Sequence, residues 1–258
     1  MTHEFSRTEL LIGSDAFHYL TSATILVFGV GGVGSHCIEA LARSGIGHLI
    51  LVDPDQVSIT NINRQSIAYH STIGHYKTQV MKERILDINP NAMVETRETF
   101  LLPENTEAFF DHIHETIDYI IDAIDTVSAK LSIASFAYAH KIPLISSMGT
   151  GNKLHPELFE ITDINNTSVC PLCKVMRREL KRRNIPALTV LYSRETPIKP
   201  VVPCESHKEA CNQSVPRRST PASISFVPPV AGLLMAGHVI RELIGQEIYD
   251  SHKNLIKP

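Results

Sequence analysis

The stretch that decides the fold of this chain is Ile25-Leu26-Val27-Phe28-Gly29-Val30-Gly31-Gly32-Val33-Gly34-Ser35. An apolar run typical of a buried strand breaks into glycines, and a helical pattern follows at residues 37–43. Glycines in the spacing G-x-G-x-x-G permit a tight turn and let the backbone approach a phosphate, while the free N–H groups of the helix start attract the anion. The stretch therefore predicts a phosphate-binding turn built on Gly29, Gly31, Gly32 and Gly34.

A second apolar strand, His48-Leu49-Ile50-Leu51-Val52, follows that helix and ends in Asp53. An acid at this point of a strand–helix–strand unit usually accepts the ribose hydroxyls of an adenine nucleotide. A tight strand-to-helix turn without a ligand is the alternative interpretation. The combination of strand, glycines, helix and acid favours a nucleotide site.

Apolar runs alternate with helical patterns through residue 147, which is typical of βαβ units and a parallel sheet. Further strands are predicted from residue 94 and at 119–121 and 143–145, and helices at 77–87 and 126–140. Two strands after residue 151, at 158–161 and 189–192, are predicted to be antiparallel. We expect an α/β fold, a Rossmann-like, mostly parallel sheet with helices on both faces, extended by antiparallel strands in the second half.

Composition indicates one ordinary globular domain over residues 1–258, with 43% hydrophobic residues, a net charge of −3 and a pI near 6.5. We expect a nucleotide-binding half at 1–150 and a substrate half at 151–258, in which residues 196–223 form a mobile loop. The first residues carry no signal-peptide pattern, and the apolar segment at 224–240 is interrupted by Pro and Gly, so we read it as a buried helix. A cytoplasmic protein without membrane contact is therefore predicted.

A second motif, Asp53-Pro54-Asp55-Gln56-Val57-Ser58-Ile59-Thr60-Asn61-Ile62-Asn63-Arg64-Gln65, places a guanidinium and two amides beyond the ribose acid. Lys77 follows at the start of the next helix. Arg64 and Lys77 suit a triphosphate, because they would neutralise charge at the α-phosphorus and on the leaving pyrophosphate. Asp125, at a strand end, suits Mg²⁺, which binds proteins through one or two carboxylates plus substrate phosphates. Gly29, Asp53 and Asp125 should converge on one crevice at the carboxyl ends of the strands.

One basic cluster interrupts this mildly acidic chain in a helical pattern at residues 170–183. Its apolar residues share one face, and its basic residues are Lys174, Arg177, Arg178, Lys181, Arg182 and Arg183. A solvated helix face and a contact surface for RNA are both open interpretations.

The glycine turn, the motif at 53–65, Lys77 and the strand end Asp122-Ala123-Ile124-Asp125 resemble the adenylation domain of ubiquitin-activating-type enzymes. Bacterial members of that superfamily adenylate sulfur-carrier proteins. The second half is similar to one branch, the tRNA threonylcarbamoyladenosine dehydratases, in the segments 167–168, 171–183, 192–195 and 223–228.

This resemblance implies that ATP adenylates the free carboxylate of the threonylcarbamoyl group on an adenosine of tRNA. The carbamoyl part then closes onto the activated acyl carbon, so that AMP and pyrophosphate leave and water is removed overall. It also implies roles by position: ribose binding by Asp53, phosphate binding by Asn63, Arg64 and Lys77, Mg²⁺ binding by Asp125, and further nucleotide contacts from Asp55 and Gln65. Arg7 matches an arginine that in the family reaches the partner subunit's ATP, which implies a homodimer.

The cysteines depart from the family pattern. Cys170 and Cys173 stand where sulfur-carrier adenylyltransferases have half of a Cys₄ zinc site, but the second C-x-x-C is missing. Cys204 and Cys211 are the replacements within the chain, so a structural zinc ion and free thiols are both open. A catalytic Cys204 or Cys211, with a sulfur-transfer protein as partner, is a third possibility.

Two rival functions also stay open. The first is an adenylyltransferase that activates the C-terminal Gly-Gly of a sulfur-carrier protein, which the incomplete zinc pattern and the basic helix disfavour. The second is a nicotinamide-dependent or nucleotide-sensing module without adenylation, which Arg64, Lys77 and Asp125 disfavour.

Overall fold

Seven strands form one sheet in the computed structural model, which describes residues 2–113, 116–199, 201 and 221–245. The strands are β1 (Thr24–Phe28), β2 (His48–Val52), β3 (Met93–Arg97), β4 (Tyr119–Asp122), β5 (Leu144–Ser147), β6 (Phe159–Asp163) and β7 (Thr189–Ser193). Their order is β3-β2-β1-β4-β5-β7-β6, and every neighbouring pair is parallel except β6 and β7.

Helices cover both faces of this sheet. They are α1 (Ser6–Ile12), α2 (Ser14–Ser22), α3 (Gly34–Arg43), α4 (Lys77–Ile88), α5 (Thr106–Asp111), α6 (Val127–His140), α7 (Pro171–Arg182) and α8 (Val227–Ile244). Alternate residues of β1 point to opposite faces: Ile25 and Val27 belong to the core formed with α3, α4 and α8, and Leu26 and Phe28 to the core formed with α5 and α6. A strand buried on both faces has to be apolar throughout, as β1 and β2 are. The predicted α/β fold with a mostly parallel sheet is confirmed.

The second half of the sheet corrects one detail of the prediction. β7 was expected to be antiparallel, but it runs parallel to β5 and lies between β5 and β6, so that β6 alone is antiparallel. The reason lies in burial: Val190, Leu191 and Tyr192 are all buried, which suits an interior strand, whereas β6 is half-buried at the edge of the sheet.

The last helix is a core helix that packs along α3. It begins at Val227, within the segment read as a buried helix, and Pro228 and Pro229 occupy its first turn, where the missing N–H of proline removes no helical bond. Among the described helices α8 is the one long and apolar enough, by length and composition, to cross a membrane. Its inner residues are nevertheless buried in the core, and a Cβ on Gly232 would lie 2.3 Å from the carbonyl oxygen of Val33.

The predicted halves share one sheet, because β6 and β7 lie after residue 150 and continue the sheet begun by β1. The division of the domain at residue 150 stays a prediction. Most of the predicted loop at 196–223 lies outside the described residues.

Candidate active site

A cavity of about 500 Å³ opens at the carboxyl ends of the parallel strands. The neighbours β1 and β4 meet there, the point of an open α/β sheet at which strand order reverses and ligands bind. Its walls include most of the predicted site residues, namely Gly29, Gly31, Gly32, Asp53, Asp55, Arg64, Gln65, Lys77 and Asp125. Gly29, Asp53 and Asp125 thus converge on one crevice, as predicted, and the other six residues line the same cavity.

Three residues predicted for the nucleotide site do not line the cavity. Gly34 is the first residue of α3 and follows the part of the turn that lines the cavity. Asn63 is exposed, and its amide donates to the carbonyl oxygen of Ser223 over 3.0 Å. Arg7 is exposed on α1. Their direct roles toward a nucleotide stay predictions.

The glycines of the turn serve different purposes. Gly29 has a φ of +93°, and a Cβ there would lie 2.7 Å from the carbonyl oxygen of Ala123. A Cβ on Gly34 would lie 1.8 Å from the carbonyl oxygen of Gly29, so close backbone packing requires a glycine there as well. A Cβ on Gly31, by contrast, would meet only the side-chain nitrogen of Gln65, at 3.9 Å. Gly31 therefore leaves space on the cavity side, where a phosphate can approach the backbone.

The Asp53 carboxylate stabilises the glycine turn by accepting backbone hydrogen bonds. One carboxylate oxygen accepts a hydrogen bond from the backbone N–H of Val30 over 2.7 Å, and the other accepts from the N–H of Asp55 over 2.9 Å. Burial raises the pKa of Asp53, while the nearby Lys77 ammonium and these two N–H donors act in the opposite direction. Each carboxylate oxygen has a second lone pair, so Asp53 can hold the turn and still accept from ribose hydroxyls.

Lys77 brings a buried ammonium to the cavity. Its Nζ lies 2.6 Å from Oδ2 of Asp55 and 3.8 Å from Oδ1 of Asp53, and the residue is 6% exposed. The exposed Asp55 carboxylate is the closer partner. A phosphate entering the cavity would share this ammonium with Asp55, and neutralisation of phosphate charge is what such a lysine supplies.

Arg64 is held over the turn by its backbone as well as its side chain. Its Nη1 donates to the carbonyl oxygen of Thr60 and to Oδ1 of Asn63, each over 2.9 Å. The ring Nε2 of His36, on α3, lies 3.2 Å from the Arg64 carbonyl oxygen, so that Nε2 donates. Burial lowers the pKa of Arg64, yet a guanidinium keeps its charge at neutral pH. The sequence reasoning missed His36, although its place two residues after Gly34 was a usable signal.

Asp125 stands exposed at the cavity wall just beyond β4, and a buried ion pair supports the strand end behind it. Lys130 donates to both carboxylate oxygens of Asp122 at 3.0 Å, to Ser146 Oγ at 3.2 Å and to the Ser147 carbonyl at 2.7 Å. These contacts join β4, β5 and α6 at the carboxyl ends of the strands. Sequence reasoning missed Lys130, whose one signal is its place among the apolar residues of α6.

Cys170 and Cys173 are both buried at the start of α7. The pKa of Cys170 is lowered to about 5, because the Cys173 thiol donates a hydrogen bond to its sulfur and the backbone N–H groups of Cys173, Leu172 and Gly149 act in the same direction. The same pairing raises the pKa of Cys173. Burial lowers the pKa of the nearby Lys153, and its Nζ donates to the Glu195 carbonyl over 2.6 Å.

No group of three or more potential metal ligands occurs among the described residues. Cys204 and Cys211 lie outside those residues. The zinc site, the catalytic cysteine and the free thiols therefore stay as predicted alternatives.

Comparison with known proteins identifies the family. The ThiF family model matches residues 5–257. The tRNA threonylcarbamoyladenosine dehydratase of Bacillus subtilis is 45% identical over 248 residues, which is 95% of this chain and 96% of the relative. The Escherichia coli protein of that name is 39% identical over 69% of this chain and 65% of its own length.

A solved structure of tRNA N6-threonylcarbamoyladenosine dehydratase, TcdA, from Escherichia coli in complex with ATP has a TM-score of 0.81 at 30% identity. It covers 93% of both chains, and the AMP complex of the same protein gives the same TM-score. A structure of Escherichia coli MccB with ATP, at 21% identity and a TM-score of 0.63, shares the fold. The chain belongs to the ThiF family and, within it, to the tRNA threonylcarbamoyladenosine dehydratases.

Proposed function

We propose that this chain is an ATP-dependent tRNA threonylcarbamoyladenosine dehydratase. The proposal rests on one observation: Arg64, Lys77 and Asp125 line the same cavity as the glycine turn. A dehydrogenase loop needs no such combination of two cations and a carboxylate beside its turn. In an enzyme that breaks the bond between the α- and β-phosphates, two cations and a carboxylate that can hold Mg²⁺ would stabilise the charge on the leaving pyrophosphate.

In the proposed reaction the substrate carboxylate attacks the α-phosphorus of ATP, a carboxylate–phosphorus bond forms and pyrophosphate leaves. Arg64 and Lys77 neutralise the phosphate charge that moves onto the leaving group. The carbamoyl part of the same nucleotide then closes onto the acyl carbon, and AMP leaves. Because the nucleophile is already attached to the activated group, its effective concentration is high and no covalent enzyme intermediate is required.

Magnesium fits this cavity through Asp125. The carboxylate is exposed at the cavity wall, and in the part of the chain that the structure describes it forms no ion pair. Mg²⁺ held there with the phosphates would neutralise charge on the nucleotide.

The proposed assembly is a homodimer. The exposed Arg7 lies on α1 beside Leu10 and Leu11, which are 86% and 74% exposed. A pair of leucines this exposed suits burial against a second copy. Cytoplasmic localisation stays a prediction.

The testing experiment measures release of AMP and pyrophosphate with bulk tRNA that carries threonylcarbamoyladenosine, with a sulfur-carrier protein ending in Gly-Gly, and with no substrate. We expect release with the tRNA, together with loss of one water from the modified nucleoside. AMP release with the carrier protein alone would overturn the proposal and establish the rival function.

Zinc and sulfur transfer need a separate measurement. Metal analysis of protein purified without chelator would give one zinc per chain if Cys170 and Cys173 share an ion with Cys204 and Cys211. Activity in the Cys204→Ser and Cys211→Ser variants would exclude a catalytic thiol, as ring closure without a covalent enzyme intermediate leads us to expect.

A further inference from the structure

The basic residues of α7 are concentrated far beyond the average of the chain. Residues 171–183 contain six Lys or Arg against one acid, Glu179, whereas the whole chain has a net charge of −3. Five of the six basic residues are exposed: Lys174, Arg178, Lys181, Arg182 and Arg183. A solvated helix face would not require charge of one sign, because mixed charges serve solubility equally well.

The sixth basic residue has a structural task. Arg177 turns inward and donates to the carbonyl oxygens of Ile164, over 3.2 Å, and Thr167, over 3.0 Å. It is half-buried and ties α7 to the segment before it. Arg177 therefore does not belong to the exposed basic surface.

The exposed charges form a stripe along one side of α7. Lys174, Arg178 and Lys181 are spaced i, i+4 and i+7, which places them on one face, turned away from the buried Cys173 and Met176. In the described part of the chain neither Lys174 nor Lys181 forms an ion pair. Arg178 shares the single Glu179 carboxylate with two other arginines, so the positive charge of the stripe is far from compensated.

The helix that carries the stripe begins at the active site. Leu172, in the first turn of α7, lines the active-site cavity. From there the 12 residues of the helix extend about 18 Å. A groove of about 700 Å³ runs beside the helix, and Arg178, Lys181 and Asn184 are among its lining residues. None of the three stripe residues lines the cavity itself, but the helix that carries them starts there, and its exposed face is long enough for several phosphates.

We propose that the basic stripe of α7, residues Lys174, Arg178 and Lys181, binds the phosphate backbone of the tRNA and so delivers the modified nucleotide to the cavity. The inference rests on the proposed function, since it supplies the docking surface for that substrate. Lysine and arginine gain affinity for nucleic acid by releasing counterions from phosphates, without reading the sequence. The stripe should therefore act on tRNA binding and not on the chemical step.

The test uses the full chain with the triple change Lys174→Gln, Arg178→Gln and Lys181→Gln. Three measurements are made: the salt dependence of binding to bulk tRNA, kcat and KM with tRNA carrying threonylcarbamoyladenosine, and turnover of the free modified nucleoside. We expect KM for tRNA to rise at least about tenfold with kcat unchanged, and the salt slope to fall by about 3, one for each cation removed. Turnover of the free nucleoside should match that of the unaltered protein.

The control carries the same loss of charge elsewhere: Arg43→Gln, Lys82→Gln and Lys141→Gln. It should keep the tRNA KM and the salt slope. An unchanged KM and slope in the α7 variant, with the unaltered protein active on tRNA, would overturn the stripe as the docking surface. If the unaltered protein releases no AMP with tRNA, the proposed function itself is wrong. A weakened turnover of the free nucleoside would show that the changes disturb the cavity, which also contradicts the inference.

Discussion

The ammonium of Lys130 lies 3.0 Å from each carboxylate oxygen of Asp122, and both side chains are 1% exposed. Ser146 completes the arrangement by donating its hydroxyl to Asp122 over 2.6 Å. A lysine and an aspartate this deeply buried persist only because each satisfies the other. The pair stands directly below the strand end that leads to Asp125, so it fixes one wall of the active site.

Replacing Lys130 by Met should destabilise the protein by about 3–5 kcal/mol, because the Asp122 carboxylate would stay buried without its partner. Urea unfolding measures the loss, and Lys174→Met, which changes an exposed lysine, should stay within about 0.5 kcal/mol of the unaltered protein. Lys130→Arg, which keeps the charge, should recover part of the stability. Equal stability of the Lys130 and Lys174 variants would show that the ion pair does not support the fold.

Much of the active site could be predicted because its parts are local in sequence. Tight turns require glycine, and the carboxyl ends of parallel strands meet at one edge, so the spacing of Gly29, Asp53 and Asp125 already placed them together. β1 and β2 were recognised because burial on both faces leaves no polar position in a strand.

The missed features depend on partners distant in the chain. From the sequence, a lysine in α6 is expected to be exposed. Lys130 is instead buried, because Asp122 and Ser146, which lie on other elements, accept its hydrogen bonds. α1 and α2 went unpredicted. In α1 the exposed Leu10 and Leu11 blur the helical pattern. The direction of β7 depends on its insertion between β5 and β6, which no local pattern records.

Arg64→Ala should nearly abolish AMP release while the fold stays intact, because among the described residues its side-chain hydrogen bonds are local, to Thr60 and Asn63. We expect a fall in kcat of about 10²–10³ from the loss of one charge-stabilising group. Thermal unfolding checks the fold, and Arg43→Ala on α3 is the matched surface control. Retained turnover would show that the phosphate site is misplaced.

If Arg7 acts in a partner's active site, mixing two inactive variants should restore activity. A dimer formed from one Arg7→Ala chain and one Arg64→Ala chain contains one site in which both arginines are intact. The two variants are unfolded and refolded together, and AMP release is compared with that of each refolded alone. No recovery, with mixed dimers demonstrated by mass spectrometry, would exclude a shared site.

Asp125→Asn should raise the Mg²⁺ concentration needed for half-maximal AMP release, because an amide is a weaker ligand for a hard cation than a carboxylate. The fold should be unaffected, since Asp125 is exposed and, in the part of the chain that the structure describes, its side chain accepts one long hydrogen bond, from Thr126 over 3.5 Å. Mg²⁺ titration of the rate measures the effect. Asp15→Asn, an exposed change on α2, serves as the control, and identical Mg²⁺ curves for both variants would remove Asp125 as the ligand.

Stability should fall on acidification partly through His36. Burial lowers its pKa below the ordinary value of 6.5, so the unfolded chain takes up the proton at a higher pH than the folded one. The stability that neutral His36 contributes is thus complete above about pH 6.5 and is lost as the pH falls toward the folded pKa. Urea unfolding at about pH 7.5 and about pH 5.5 should show a smaller decrease for His36→Gln than for the unaltered protein. His18→Gln, a change at an exposed residue, should show the same decrease in stability as the unaltered protein. Equal decreases in stability in all three proteins would contradict a contribution of His36 to the pH dependence.

Substitutions at two glycines of the turn, Gly34 and Gly31, should affect stability and nucleotide binding separately. In Gly34→Ala the new methyl group would lie 1.8 Å from the carbonyl oxygen of Gly29, so the turn must open, and we expect a loss of about 1–3 kcal/mol in stability. In Gly31→Ala the nearest protein atom is 3.9 Å away, so the thermal midpoint should not change. The methyl group would instead occupy the space in which a phosphate approaches the backbone, and ATP affinity should fall. Thermal unfolding and ATP titration of both variants check this, and a Gly31→Ala protein with full ATP affinity would mean that the phosphates lie elsewhere in the cavity.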